Sequence, residues 1–169
     1  LLCALVGMFL ASSSLPSLQL VLLGCLGIGL SSAAGAAFNH VLDRKIDEKM
    51  FRTKNRPLPK YELKVSQALL FAFFIAALGF GCLFFFVNQT VAIWTLGALF
   101  GYSVVYTAIL KHITSQNIVI GGLSGALPPL LGWACIDPSL GARPWLLVLI
   151  IFVWTPPHFW ALAIAKLDD

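Results

Sequence analysis

Charge is scarce in this chain. Only 11% of its 169 residues are Asp, Glu, Lys or Arg, whereas 59% are hydrophobic and the mean hydropathy is +0.91. A soluble domain carries about 25% charged residues, so a soluble globular fold is excluded and an integral membrane protein is indicated. Cysteines are few and solitary: Cys3, Cys25, Cys82 and Cys135 each sit in apolar surroundings. With no C-x-x-C and no Cys/His pair, neither a zinc site nor a disulfide framework is indicated. No Ser/His/Asp or Cys/His constellation offers a protein nucleophile. An initiating Met is also missing. The chain begins at Leu1 inside a hydrophobic run and stops at Asp169 just as charges gather, which reads as a single membrane domain truncated at both ends.

What charge there is collects in one place. The net charge of +4 comes mainly from a basic patch between Arg44 and Lys64. The patch is a short connection between apolar runs, which does not fit a nucleic-acid partner. Around it the hydropathy pattern predicts an all-α, polytopic transmembrane bundle. Leu1–Ala11 is too short to cross a bilayer, which takes roughly 20 residues, and reads as a truncated helix. Ser12–Pro16 is a turn, with Pro16 suited to the first turn of the next helix. About five full spans follow. The first runs from about Ser17 past Phe38, and a charged connection then covers Arg44–Lys64. The others are Val65–Val87, Val91–Leu110, Ile118–Ile136 interrupted by Pro128–Pro129, and Pro144 to about Lys166 interrupted by Pro156–Pro157. The first span is rich in Gly, Ser and Ala, which lets neighbouring helices approach closely.

The positive-inside rule turns the Arg44–Lys64 connection toward the cytoplasm, or toward the matrix of a mitochondrion. Counting spans from there, Lys111–Asn117 and Lys166–Asp169 reach the same face. Almost all the reactive side chains therefore converge on one side of the membrane.

Within the polar stretch, Asn39, Asp43 and Asp47 fall at i, i+4 and i+8, on one face of a helix. Two carboxylates so placed repel by a few tenths of a kcal/mol, a cost most easily met when a cation sits between them. Oxygen-only ligands favour Mg²⁺ over zinc. The plainer alternative is a solvated helix end balanced by neighbouring Arg and Lys. Arg52 and Arg56 lie at i, i+4 just beyond the acids, and forked guanidinium groups suit phosphate oxygens. The other basic residues serve equally as topology signals.

Lys111 and His112 follow a span, and Lys111 reads first as a snorkelling anchor, with Tyr106 near its face. His158 follows Pro157 beside Trp154, Phe159 and Trp160. A membrane-embedded His marks function by default; a core His bonded to a loosened carbonyl is the alternative.

The pattern N-x-x-x-D-x-x-x-D followed by M-x-R-T-x-x-R-P-L, from Asn39 to Leu58, resembles the first aspartate-rich motif of the intramembrane prenyltransferases of the UbiA superfamily. The segments Tyr106–Trp133 and Trp154–Asp169 are similar to its heme-modifying branch. Relatives acting on 4-hydroxybenzoate commonly carry an Asp just after the Asn; His40 stands there instead. The resemblance implies a nine-helix fold around a cavity, with two aspartate-rich regions holding a prenyl diphosphate through Mg²⁺. It implies that Asn39, Asp43 and Asp47 form the first region and that Arg52, Arg56 and Lys111 contact the diphosphate. Asp43, Asp47 and Lys111 are then the catalytic set, and the second region starts at Lys166, Asp168 and Asp169, with either aspartate serving.

The substrates implied are farnesyl diphosphate and heme B, with aromatics such as Trp133, Trp154, Phe159 and Trp160 as walls and His158 as a heme contact. The implied setting is the lipid of a bacterial inner membrane, or alternatively the mitochondrial inner membrane. The implied protein partners are heme A synthase or terminal-oxidase assembly factors. A prenyltransferase with an aromatic or quinone-precursor acceptor is the sibling reading. A membrane transporter is the reading from another class, but it predicts ionisable groups at mid-span. A CDP-alcohol phosphotransferase would need a D-G-x-x-A-R opening, which the chain lacks.

Overall fold

The computed structural model describes residues 1–110 and 116–165. Among these residues all regular secondary structure is helical, without strands. Five helical stretches are long and apolar enough to cross a membrane. A short helix, α1 (Leu2–Ala11), precedes them, and the turn that ends it leads to Ser17. Ser17 starts α2 (Leu18–Asp47), its Oγ accepting the Leu20 N–H at 3.3 Å, a standard N-cap device. Next come α3 (Val65–Phe86) and α4 (Gln89–Phe100). The chain then continues in π-helical form from Gly101–Leu110. The last helices are α5 (Asn117–Ala126), α6 (Pro128–Ile136) and α7 (Ala142–Ala165).

Two boundaries differ from the sequence expectation. The charged connection was placed from Arg44 onward, yet α2 stays helical to Asp47. Basic residues in a last turn favour the negative end of the helix dipole, and Arg44 also donates from Nη1 to the Val41 carbonyl at 3.0 Å. The prolines also behave unequally. Pro128–Pro129 divide the span as expected, because Pro128 opens α6 at a position that needs no N–H. Pro156 and Pro157 instead sit inside a continuous α7. Their missing N–H groups cancel two backbone bonds, while Thr155 Oγ1 donates to the Ile151 carbonyl at 2.7 Å one turn earlier.

The helices close on one another through glycine. A Cβ on Gly79 of α3 would stand 2.6 Å from Ser31 Oγ and 3.0 Å from the Gly27 carbonyl of α2. The α1–α6 crossing is tighter still, with Gly7 against the Pro129 carbonyl and Gly132 against the Ala4 carbonyl. Small residues drive such contacts where lipid supplies no hydrophobic force between helices.

The main core joins Met8, Ile28, Leu83, Val91, Leu130 and Val148. Given the alternating helix directions, this core occupies the half of the bundle away from the C-terminal end of α2. At that far end the polar groups are consumed by structure. Asn88 Oδ1 accepts the Val91 N–H at 2.9 Å, and its Nδ2 donates to the Ala134 carbonyl at 2.8 Å. Asp137 accepts from the Ser139 hydroxyl at 2.6 Å, the Ser139 N–H at 3.0 Å and Trp133 Nε1 at 3.4 Å. The Ser139 bonds, with Trp133 adding, hold the Asp137 carboxyl below the usual carboxylate range.

The glycine contacts give a direct test. Gly79→Val in the intact protein should destabilise it by about 1–3 kcal/mol through overpacking, read as a lower thermal unfolding midpoint. Gly81→Ala on the same helix meets nothing within 4 Å and should hold or raise the midpoint, because Ala is the better helix former.

Candidate functional site

The other end of the bundle is built differently. The helical face of Asn39, Asp43 and Asp47 turns inward, so both carboxylates are buried, at 9% and 4% exposure. Two like charges one helical turn apart repel each other. Among the described residues Arg56 brings a counter-charge, its Nη1 meeting Asp47 Oδ2 at 2.8 Å. The loop carrying Arg56 is pinned to the same residue, since Thr53 Oγ1 donates to the Asp47 carbonyl at 3.1 Å. Arg52, the other arginine of the pair, is exposed and makes no ion pair among the described residues. One guanidinium is thus engaged with the acids while the other faces outward.

Asn39 is held from across the bundle. Its Nδ2 donates to the Tyr102 hydroxyl at 2.8 Å. Tyr102 lies in the π-helical segment, where Thr107 Oγ1 donates to the Tyr102 carbonyl at 2.9 Å, five residues back. The wider register stacks Tyr102 on Tyr106, ring centroids 5.7 Å apart. Short π-helical stretches are frequent at functional sites. With its amide nitrogen engaged, Asn39 keeps Oδ1 buried without a hydrogen-bond partner among the described residues. That orphan oxygen, with two buried carboxylates on the same helix face, makes a donor set suited in hardness to a divalent cation such as Mg²⁺. Among the described residues no group of three or more His, Cys, Asp or Glu could hold a metal by itself.

Below Tyr102 the bundle is hollow. A cavity of about 320 Å³ runs between α2, α4, the π segment, α5 and α6. Its wall includes Ser31, Gly35, Thr95, Leu99, Tyr102 and Pro128. The small side chains of α2 that pack α3 on one side therefore leave space on another. The break at Pro128 opens onto the same space.

The remaining expectations fall into three groups. Lys111, His112, Lys166, Asp168 and Asp169 lie outside the described residues. His158 lies on α7, stacked on Trp154 at 4.3 Å and edge-on to Phe159 at 5.8 Å. Those rings and Trp160 are exposed, and α5 packs against both α7 and the π segment. Trp133 is buried at the opposite end against Asp137. Tyr102 was missed in the sequence, although its i, i+4 spacing with Tyr106 was a signal.

A buried pair of acids, an amide oxygen beside them and an arginine bonded to Asp47 thus lie at one end of the bundle, next to an apolar chamber. The sequence profile of the UbiA prenyltransferase family matches residues 1–169, and the chain belongs to this family. It is 55% identical over 169 residues to the protoheme IX farnesyltransferase of Shewanella amazonensis, covering all of this chain and 56% of that protein. It is 56% identical over 166 residues to the protein of that name from Shewanella denitrificans, covering 98% of this chain and 55% of that protein. With the Photobacterium profundum protein of that name it shares 53% over 169 residues, covering all of this chain and 53% of that protein. The chain thus spans about half the length of the curated relatives it matches. No solved structure matches it.

The Asn39–Tyr102 bond yields a prediction of its own. A double-mutant cycle of Asn39→Ala and Tyr102→Phe should return a coupling of about 0.5–3 kcal/mol in thermal unfolding. Strictly additive effects would mean that the two side chains do not hold each other.

Proposed function

We propose that this chain carries the diphosphate-binding half of an enzyme that transfers a farnesyl group from farnesyl diphosphate to a vinyl group of protoheme IX. The observation that carries this reading is the buried, one-turn spacing of Asp43 and Asp47 with Arg56 on the outer acid. The names of the relatives supply the acceptor and the prenyl length. The basic connection supports an acid end facing the cytoplasm across a bacterial inner membrane, or the matrix across a mitochondrial one.

In this mechanism Asn39, Asp43 and Asp47 present oxygens toward the diphosphate, and Arg56 and Arg52 contribute guanidinium donors to it. Asn39, Asp43 and Asp47 would hold Mg²⁺, which would supply Lewis-acid stabilisation of the leaving group. The C1–O bond of the donor breaks, and the departing diphosphate takes the electron pair. Positive charge prearranged at Arg56 favours the charge building on it. The cavity beneath Tyr102 takes the isoprenoid and excludes water, so the allylic cation survives long enough to be captured. The heme vinyl group supplies the electron pair for the new carbon–carbon bond. Water then adds to the resulting cation and releases a proton, leaving a hydroxyethylfarnesyl side chain. No protein nucleophile is required.

Asp43→Ala and Asp47→Ala in the intact protein should each lower transfer by at least about 10²-fold while the protein still inserts in the membrane. Product analysis with farnesyl diphosphate and heme B reads this out, and normal turnover in either variant would refute the acid role. Replacing heme B by 4-hydroxybenzoate in the same assay should give no product; prenylated 4-hydroxybenzoate would move the enzyme to the aromatic-acceptor branch. Arg56→Ala removes a charged hydrogen bond worth about 1.5–3 kcal/mol, so farnesyl diphosphate should bind roughly ten- to a hundred-fold more weakly. Unchanged binding would leave Arg56 as a topology signal.

A further inference from the structure

A second polar site lies behind the first. An open groove of about 510 Å³ is formed by the end of α2, the loop after it and the start of α3. Its rim is Arg44, Lys45, Lys49 and Lys64. An α-helix turns about 100° per residue, which puts Lys45 on the side of α2 away from Asp43 and Asp47, and Lys49 follows in the turn just past the end of α2. The exposure agrees: the two acids are buried and the two lysines exposed.

Three observations distinguish this groove from a merely basic loop. First, its cations are not neutralised. None of Arg44, Lys45, Lys49 or Lys64 forms an ion pair among the described residues, although Glu48 lies in the same groove. Second, Glu48 is occupied by a phenol instead, with Tyr61 donating from its hydroxyl to Glu48 Oε1 at 3.2 Å. Tyr61 reaches that position with a backbone φ of 60°, a left-handed conformation that a bulky residue adopts only when its surroundings hold it there. Third, the groove contains apolar groups as well: Leu58, Leu63 and Val65 line it. The helix that continues from Val65 exposes Leu70, Phe71, Phe73 and Phe74. A ligand seated here meets cations at its head and a lipid-facing apolar helix along its length.

We propose that this groove binds an anionic membrane phospholipid, its phosphate among Lys45, Lys49, Lys64 and Arg44 and its acyl chains along α3. Basic pockets at the ends of transmembrane helices recognise such headgroups, each Lys or Arg near the surface contributing about 1 kcal/mol. The apolar lining and the exposed start of α3 favour a lipid over a free anion of the same charge. This assignment does not depend on the prenyl-transfer reading, because it uses none of the residues placed in that site.

The test is binding to the intact protein purified in detergent, measured by native mass spectrometry and thermal shift with short-chain lipids. Dioctanoyl phosphatidylglycerol should bind and raise the unfolding midpoint, and dioctanoyl phosphatidylcholine should do so far more weakly. The Lys45→Gln, Lys49→Gln, Lys64→Gln variant should lose that preference by on the order of a hundred-fold, the factor three lysines at about 1 kcal/mol each supply. The matching Lys→Arg variant should retain it, which shows that the charge rather than a folding defect is read. Where the triple variant does not fold, the single Gln variants should each lose several-fold. Equal binding of both lipids, or an undiminished preference in the Gln variants, overturns the proposal. Inorganic phosphate displacing phosphatidylglycerol at comparable concentration also overturns it, assigning the groove to a free anion.

Discussion

Two carboxylates one helical turn apart, buried at the negative end of a helix dipole, are the constraint on which the rest of this structure depends. Their mutual repulsion is offset by positive charge brought to them. The chain delivers part of it through Arg56, whose loop is anchored to Asp47 by Thr53. Arg44 steadies the same helix end by donating to the Val41 carbonyl. The acid face is thus held ready, and a substrate complex of opposite character can supply the remaining charge.

The packing follows from this division. The dense core, the glycine crossings and the satisfied polar groups of Asn88 and Asp137 lie toward one end. Toward the other are a cavity, an Asn39 amide oxygen without a partner among the described residues, and an outward-facing Arg52. The proposed function assigns the cavity to the isoprenoid and the polar groups beside it to the diphosphate.

Much of this was legible in the residues themselves. Hydropathy located the spans to within a few positions, because a bilayer demands long apolar helices and little else resembles them. The i, i+4, i+8 spacing of Asn39, Asp43 and Asp47 predicted their common face. The partnership of Arg56 with Asp47 was less accessible, since it depends on how a loop with Pro57 and Pro59 folds back. Tyr102 was hidden because its neighbours read as an ordinary span. Whether Gly101–Leu110 takes α or π register is decided by tertiary contacts, and only the π form carries the Thr107-to-Tyr102 bond. The prolines show the opposite limit. The same dipeptide starts a helix at Pro128 and is carried inside one at Pro156, so the residue type alone does not fix a break. The basic connection was read as topology, diphosphate contact or both; the structure separates Arg56, bonded to the acids, from the groove-lining lysines behind them.

The central claim is that the Asn39, Asp43 and Asp47 face recognises a diphosphate together with a divalent cation. The most direct measurement is equilibrium binding of a non-transferable farnesyl thiodiphosphate to the intact protein, with Mg²⁺ present and with Mg²⁺ chelated. The account predicts tight binding only when Mg²⁺ is present, and loss of that dependence in Asp43→Asn. Equal affinity with and without Mg²⁺, in a protein that binds the analogue, would contradict it.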